Sequence, residues 1–212
     1  VIVAGDLLDL AGHAETDIQI AVVEKYLTRL AAVCPTIVSS GNHDGDVERE
    51  STEFVAEWIE QMERPGLTVD GQSVELNGLA ITACPWRDGP LAQQSIETVL
   101  ERQSGRQEEV EWAWLYHAPP DATPLAWTGK KYFGDELLNG FIARYRPAYV
   151  FCGHVHNAPY RDDGSWVTKL GSTWCFNPGY QMADVPCYIE LDTNVREAMW
   201  HSEYGVRVQK LA

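Results

Sequence analysis

Four times in this chain a short apolar run stops at residues able to bind a metal ion. Residues 1–4 lead into Gly5-Asp6-Leu7-Leu8-Asp9, and 37–39 into Gly41-Asn42-His43-Asp44. Residues 112–115 lead to His117, and 149–151 into Cys152-Gly153-His154-Val155-His156. Runs this short, closed by glycine or polar residues, predict buried strands. Sites of open α/β sheets collect beyond the carboxyl ends of such strands. In the last segment an extended backbone would turn His154 and His156, at i and i+2, to the same side. Imidazole is the commonest metal ligand among side chains. One His-x-His says little; four such groups in order constrain the chain strongly.

Between these runs the pattern alternates. Ile18, Val22, Val23, Tyr26, Leu27 and Leu30 recur at helical spacing and predict a helix over 14–32, with Thr16 or Asp17 as its cap and Pro35 beyond its end. A second amphipathic helix is predicted over 48–63, with Phe54, Val55, Trp58, Ile59 and Met62 on its inner face. Residues 67–86 read as short strands joined by Asp70-Gly71 and Asn77-Gly78, both hairpin signals. A helix over 91–102, a solvated loop over 103–109 and a strand over 111–116 follow. Residues 122–132 carry Trp127, Lys130, Lys131 and Tyr132 and suit either a lid or a packed surface loop. A helix over 133–145 places Asp135 in its first turn, where negative charge suits the helix dipole. Strands are predicted over 165–175, 186–192 and 196–202. The change from α/β units to a meander suits a two-sheet α/β sandwich.

At 212 residues, 45% of them hydrophobic and eight of them Trp, the chain suits one domain spanning 1–212 with a sizeable core. Against 16 basic residues stand 31 acidic ones, a net charge of −15. That surface disfavours duplex nucleic acid, whose binding depends on Lys and Arg meeting phosphates. No run is long and apolar enough to span a bilayer, so no membrane association is expected. Cys34, Cys84, Cys152, Cys175 and Cys187 form no CxxC pair, which favours reduced, buried thiols and a cytoplasmic location. His13 and His201 lack ligand-spaced neighbours and read as solvated or structural. Arg87 suits a substrate phosphate or, more simply, a salt bridge.

The ordered set GDxxD, GNHD, a lone His and GHxH resembles the calcineurin-like metallophosphoesterase family, with Asn177-Pro178-Gly179 as a further echo. The resemblance implies a four-layer α-β-β-α sandwich of two mixed sheets flanked by helices. It also implies two divalent metal ions, with Mn²⁺ favoured and Fe or Zn²⁺ as alternatives. Asp6 would bridge them, Asn42, His117 and His154 would complete one site, and His156 would serve the other. His43 would be the general acid for the leaving group, held and polarised by Asp44, and Asp9 a carboxylate behind the ligands. The family's Asp-x-His strand does not occur in these residues, so the domain is expected to be N-terminally incomplete, by roughly one βα-sized unit.

The function so implied is hydrolysis of a small phosphodiester or phosphomonoester, nucleotide-derived esters among them, by a metal-bound water or hydroxide. A metallo-nuclease of the same superfamily is one alternative, disfavoured by the net charge. A non-catalytic scaffold, as in retromer-type members, is another, disfavoured by retention of His43 and Asp44.

Overall fold

The computed structural model describes residues 1–49, 53–62, 64–105 and 110–211. They form two compact units, Val1–His117 and Ala118–Ala212.

The first unit opens with β1 (Ile2–Ala4), α1 (Thr16–Ala31) and β2 (Thr36–Ser39). Next come β3 (Val47–Glu48), β4 (Phe54–Val55), the single turn α2 (Glu57–Glu60) and β5 (Leu67–Thr68). It ends with β6 (Ser73–Leu76), β7 (Leu79–Ala83), α3 (Ala92–Ser104) and β8 (Glu111–Leu115). Strands β1, β2 and β5 run parallel, in the order β1-β2-β5. β2 is buried along its whole length, Thr36 and Ser39 included, as a strand covered on both faces is. Its Val38 packs in one core cluster with Leu8, Leu27, Ile59, Met62, Leu67 and Val69. β6 and β7 pair antiparallel through Asn77-Gly78, whose positive φ values of 52° and 77° match a primed hairpin turn. β8 joins β7 in parallel, with α3 as the crossover.

The helix expected over 14–32 forms as α1, with Glu15 and not Thr16 or Asp17 at its N-cap, and three other expectations are corrected. Helix α1 buries the stripe Ile20, Val23, Leu27 and Ala31 against the core, while Ile18, Val22 and Tyr26 face outward. One helix face cannot hold all the apolar positions of so two-sided a sequence. The predicted helix over 48–63 is instead the β3–β4 hairpin followed by α2; Glu50, Ser51, Thr52 and Glu63 of it lie outside the described residues. Phe54 donates its N–H to the Asp88 carbonyl, a non-local bond that overrides the helical spacing, and its ring is 42% exposed. Asp70-Gly71 closes no hairpin, because β5 pairs with β2 whereas β6 pairs with β7. Of the loop expected over 103–109, Gln103 and Ser104 close α3, and 106–109 lie outside the described residues.

The second unit contains α4 (Glu136–Tyr145), β9 (Tyr149–Phe151), β10 (Val167–Leu170), β11 (Thr173–Phe176), β12 (Tyr188–Asp192), β13 (Glu197–Ser202) and β14 (Gly205–Lys210). Asp135 is the N-cap of α4, its carboxylate accepting from Leu137 N at 2.8 Å. β9 and β11 are parallel, and the strand expected over 165–175 is the antiparallel pair β10–β11, split at Gly171-Ser172. β12, β13 and β14 form a three-stranded meander, of which β14 was not predicted. Among the described residues no helix is long and apolar enough to cross a membrane.

Candidate metal centre

The first unit gathers Asp6, Asn42, His43, Asp44 and His117 at the carboxyl ends of β1, β2 and β8. Asp6 follows β1 with φ of 56°, a left-handed conformation that a residue with a Cβ adopts only when its surroundings compel it. What compels it is close packing against the turn after β2. His43 N–H donates to Asp6 Oδ1 at 3.1 Å. A Cβ at Gly41 would overlap Asp6 Oδ1 and lie 2.7 Å from His117 Cε1, so only glycine lets the two turns meet.

His117 is 2% exposed, and its Nδ1 is hydrogen-bonded to the Ala4 carbonyl. A carbonyl only accepts, so Nδ1 carries the hydrogen, and in the neutral ring Nε2 presents its lone pair. That lone pair lies 3.2 Å from Asp6 Oδ1 and 3.2 Å from Asn42 Oδ1. Three acceptors converging on one point repel one another unless a cation or a proton lies among them. An imidazole, a carboxylate and a carboxamide oxygen form a mixed N/O donor set that suits a divalent metal. Burial alone would raise the Asp6 carboxyl, but with the ring protonated the His117 Nε2–H and its charge, together with the His43 N–H, outweigh it and hold it below the usual carboxylate range. An ionised oxygen is what a metal ligand requires. The residues therefore fit the ion that the motifs imply.

Asp44 serves differently from the expectation. It is fully buried; Oδ1 accepts from Leu7 N at 2.7 Å and Leu8 N at 3.0 Å, and Oδ2 from Gly41 N at 2.8 Å. Its carboxylate is taken up by these backbone groups and not by the His43 ring. It clamps the Asp6 turn to the Asn42 turn. Burial pushes its carboxyl up, against the pull of these three N–H groups. Asp9 is exposed and binds Ala11 N at 2.9 Å in its own turn, away from the ligands.

Sequence reasoning missed the support beneath this turn. Ser40 N and Oγ donate to the buried Asp70 carboxylate at 2.9 and 2.6 Å, and Ser40 Oγ accepts from Trp86 N at 2.8 Å. Trp86 in turn meets the His117 ring edge-on, at 5.6 Å between centroids. The Asp70-Gly71 pair was the only local signal, and it reads equally well as a hairpin. Arg87 pairs with Glu60, which also accepts from Arg49 at 2.6 Å. The salt-bridge reading of Arg87 therefore holds.

In the second unit His154 and His156 follow β9. His154 has φ of 62°, and Val155 N–H bonds the Gly153 carbonyl at 2.7 Å in a three-residue turn. The extended backbone expected there is thus corrected: the strand ends at Phe151 and the chain turns tightly about His154. Phe133 stacks on His154 at 4.7 Å, and Tyr180 lies against His156 at 5.1 Å. Asn177, fully buried, ties the turn down. Its amide donates to Val155 O at 3.0 Å and Leu125 O at 3.2 Å, and its oxygen accepts from Gly179 N at 2.9 Å. Tyr180 N–H reaches the His156 carbonyl at 3.1 Å. The Asn177-Pro178-Gly179 echo is therefore a brace for the histidine turn. His13 is exposed, and His201 pairs with Glu190 at 2.9 Å while stacking on Tyr188.

Histidine, carboxylate and carboxamide donors set at strand ends of α/β units are the equipment of a metallohydrolase. Residues 1–158 match the model of the calcineurin-like phosphoesterase family, and the chain belongs to that family. The crystal structure of TT1561 of Thermus thermophilus is similar, with a TM-score of 0.55 at 16% identity over 100% of this chain and 84% of that one. It shares the mixed α/β fold of several sheets and helices. The crystal structure of wild-type Vps29 complexed with zinc from Entamoeba histolytica matches with a TM-score of 0.35 at 12% identity, over 98% and 94% of the two chains. No curated protein matches the chain in sequence.

Proposed function

We propose that this chain hydrolyses small phosphoesters with two bound divalent ions, for which Mn²⁺ is the first choice and Fe or Zn²⁺ the alternatives. The observation that carries the reading is the convergence of Asp6 Oδ1 and Asn42 Oδ1 on the His117 lone pair. When bound, such ions neutralise phosphoryl charge and supply a nucleophile at neutral pH. Asp6, Asn42 and His117 hold them from the first unit. The family pattern assigns His154 and His156 to the same task.

The remaining roles belong to the chain's own side chains. His43, half-buried and fixed through its backbone N–H on Asp6, protonates the departing ester oxygen. Asp44 positions His43 by holding the turn, without touching its ring. A small ester fits the net charge of −15 better than a duplex does.

His43→Ala tests the acid role. It should leave metal content intact and lower turnover by about 10²–10⁴-fold, most for esters with poor leaving groups. A loss equal across all leaving groups would refute the role.

A further inference from the structure

The second unit sets an exposed aromatic ring against each of the two histidines. Phe133, 49% exposed, stacks on His154 at a 30° interplanar angle. Tyr180, 56% exposed, lies against His156 at 38°. Neither ring is there by accident of a loose loop. The chain before Phe133 is a tight hairpin in which Thr128 N and Oγ1 both donate to the Lys131 carbonyl, at 3.0 and 2.8 Å, and Trp127 packs on Tyr132 at 5.1 Å. Phe133 N–H is tied to the Ala126 carbonyl at 2.8 Å. Tyr180 follows the buried Asn177 brace directly, with its own N–H on the His156 carbonyl. Two braced segments therefore hold large apolar rings half in water, at a cost in hydration that burial elsewhere would have avoided. Lys131 adds a cation 5.1 Å from the Phe133 centroid.

We propose that Phe133 and Tyr180 form an aromatic rim that selects phosphoesters carrying a planar aromatic group, of the nucleoside kind. The proposal deepens the phosphoesterase reading and rests on it for the place of the phosphate. Phe133 stacks on His154 and Tyr180 lies tilted against His156, histidines that the family pattern assigns to the metals, so each ring stands beside a ligand, within reach of the non-reacting part of an ester. A nucleobase covers such a ring by stacking, which every base can do whatever its hydrogen-bonding edge. A glycerol-type ester cannot. Binding energy from that remote contact then favours the aromatic ester.

Two measurements test the rim on the full chain. Phe133→Leu and Tyr180→Leu keep apolar bulk and remove the π-face. Each should raise KM for a nucleoside monophosphate about tenfold more than it raises KM for glycerol 2-phosphate. Phe133→Tyr and Tyr180→Phe should restore the wild-type KM. An equal loss on both esters, or none on either, overturns the rim while leaving the phosphoesterase reading intact. Equilibrium dialysis with adenosine, which has no phosphate to hydrolyse, gives the second readout. Binding weakened about tenfold by each Leu variant supports the rim even if hydrolysis fails. Adenosine binding that is absent, or indifferent to both substitutions, overturns it.

Discussion

Replacing Asp70 with asparagine should change how stability depends on pH, by an amount set by the carboxyl's surroundings. Asp70 is 7% exposed, and burial pushes its carboxyl from the ordinary 3.8 up to about 7, against the opposing pull of its Ser40 hydrogen bonds and the Arg87 charge. Between those values the folded chain keeps the Asp70 proton and the unfolded chain has released it. The unfolded state then binds fewer protons, so stability falls as pH rises. The contribution is fully present below pH 3.8 and lost once the pH has passed about 7. At about 1.4 kcal/mol per pKa unit, the fall between about pH 5 and about pH 8 amounts to about 3 kcal/mol. The asparagine of the Asp70→Asn variant keeps an oxygen for the Ser40 N–H and has no proton to lose. Urea unfolding of both chains across that window gives the two profiles. The variant should gain on the wild type by about 3 kcal/mol as pH rises. Profiles parallel to within about 0.5 kcal/mol would show that Asp70 titrates as an ordinary carboxyl and would refute the reasoning.

Two further substitutions probe the clamp and the close packing. Asp44→Asn turns an amide N–H against the Gly41 N–H and should cost about 2–3 kcal/mol in urea unfolding; an unchanged midpoint would contradict the clamp. Gly41→Ala drives a methyl into Asp6 Oδ1 and the His117 ring. It should lower metal affinity about 10–100-fold with the circular dichroism spectrum unaltered, and full affinity would refute the packing argument.

The centre was legible in the sequence because each of its parts is local. Within the first unit, a short apolar run, a turn and a polar group lie within a few residues at Asp6, Asn42 and His117. What holds the parts together is not local. Asp44 finds its partners at Leu7 and Leu8, thirty-seven and thirty-six residues away, and no pattern around His43 announces them. Asp70 reaches back thirty residues to Ser40, and its neighbour Gly71 suggested a hairpin instead. The same blindness produced the helix over 48–63, where the Phe54–Asp88 bond decides the backbone. The positive φ of His154 was hidden because a His-x-His at a strand end looks extended until the turn closing over Gly153 is known. Val206 and Val208 of β14 stand exposed on an edge strand, where alternation carries little burial and so little signal.

The central claim is that Asp6, Asn42 and His117 converge in order to hold a metal. Isothermal titration of Mn²⁺ into the wild-type chain, and into Asn42→Ala and His117→Ala, tests it most directly. The wild type should bind, and each variant should weaken the tightest event by at least about tenfold while unfolding at a similar urea midpoint. Equal Mn²⁺ affinity in all three chains would show that the convergence of acceptors serves something other than a metal.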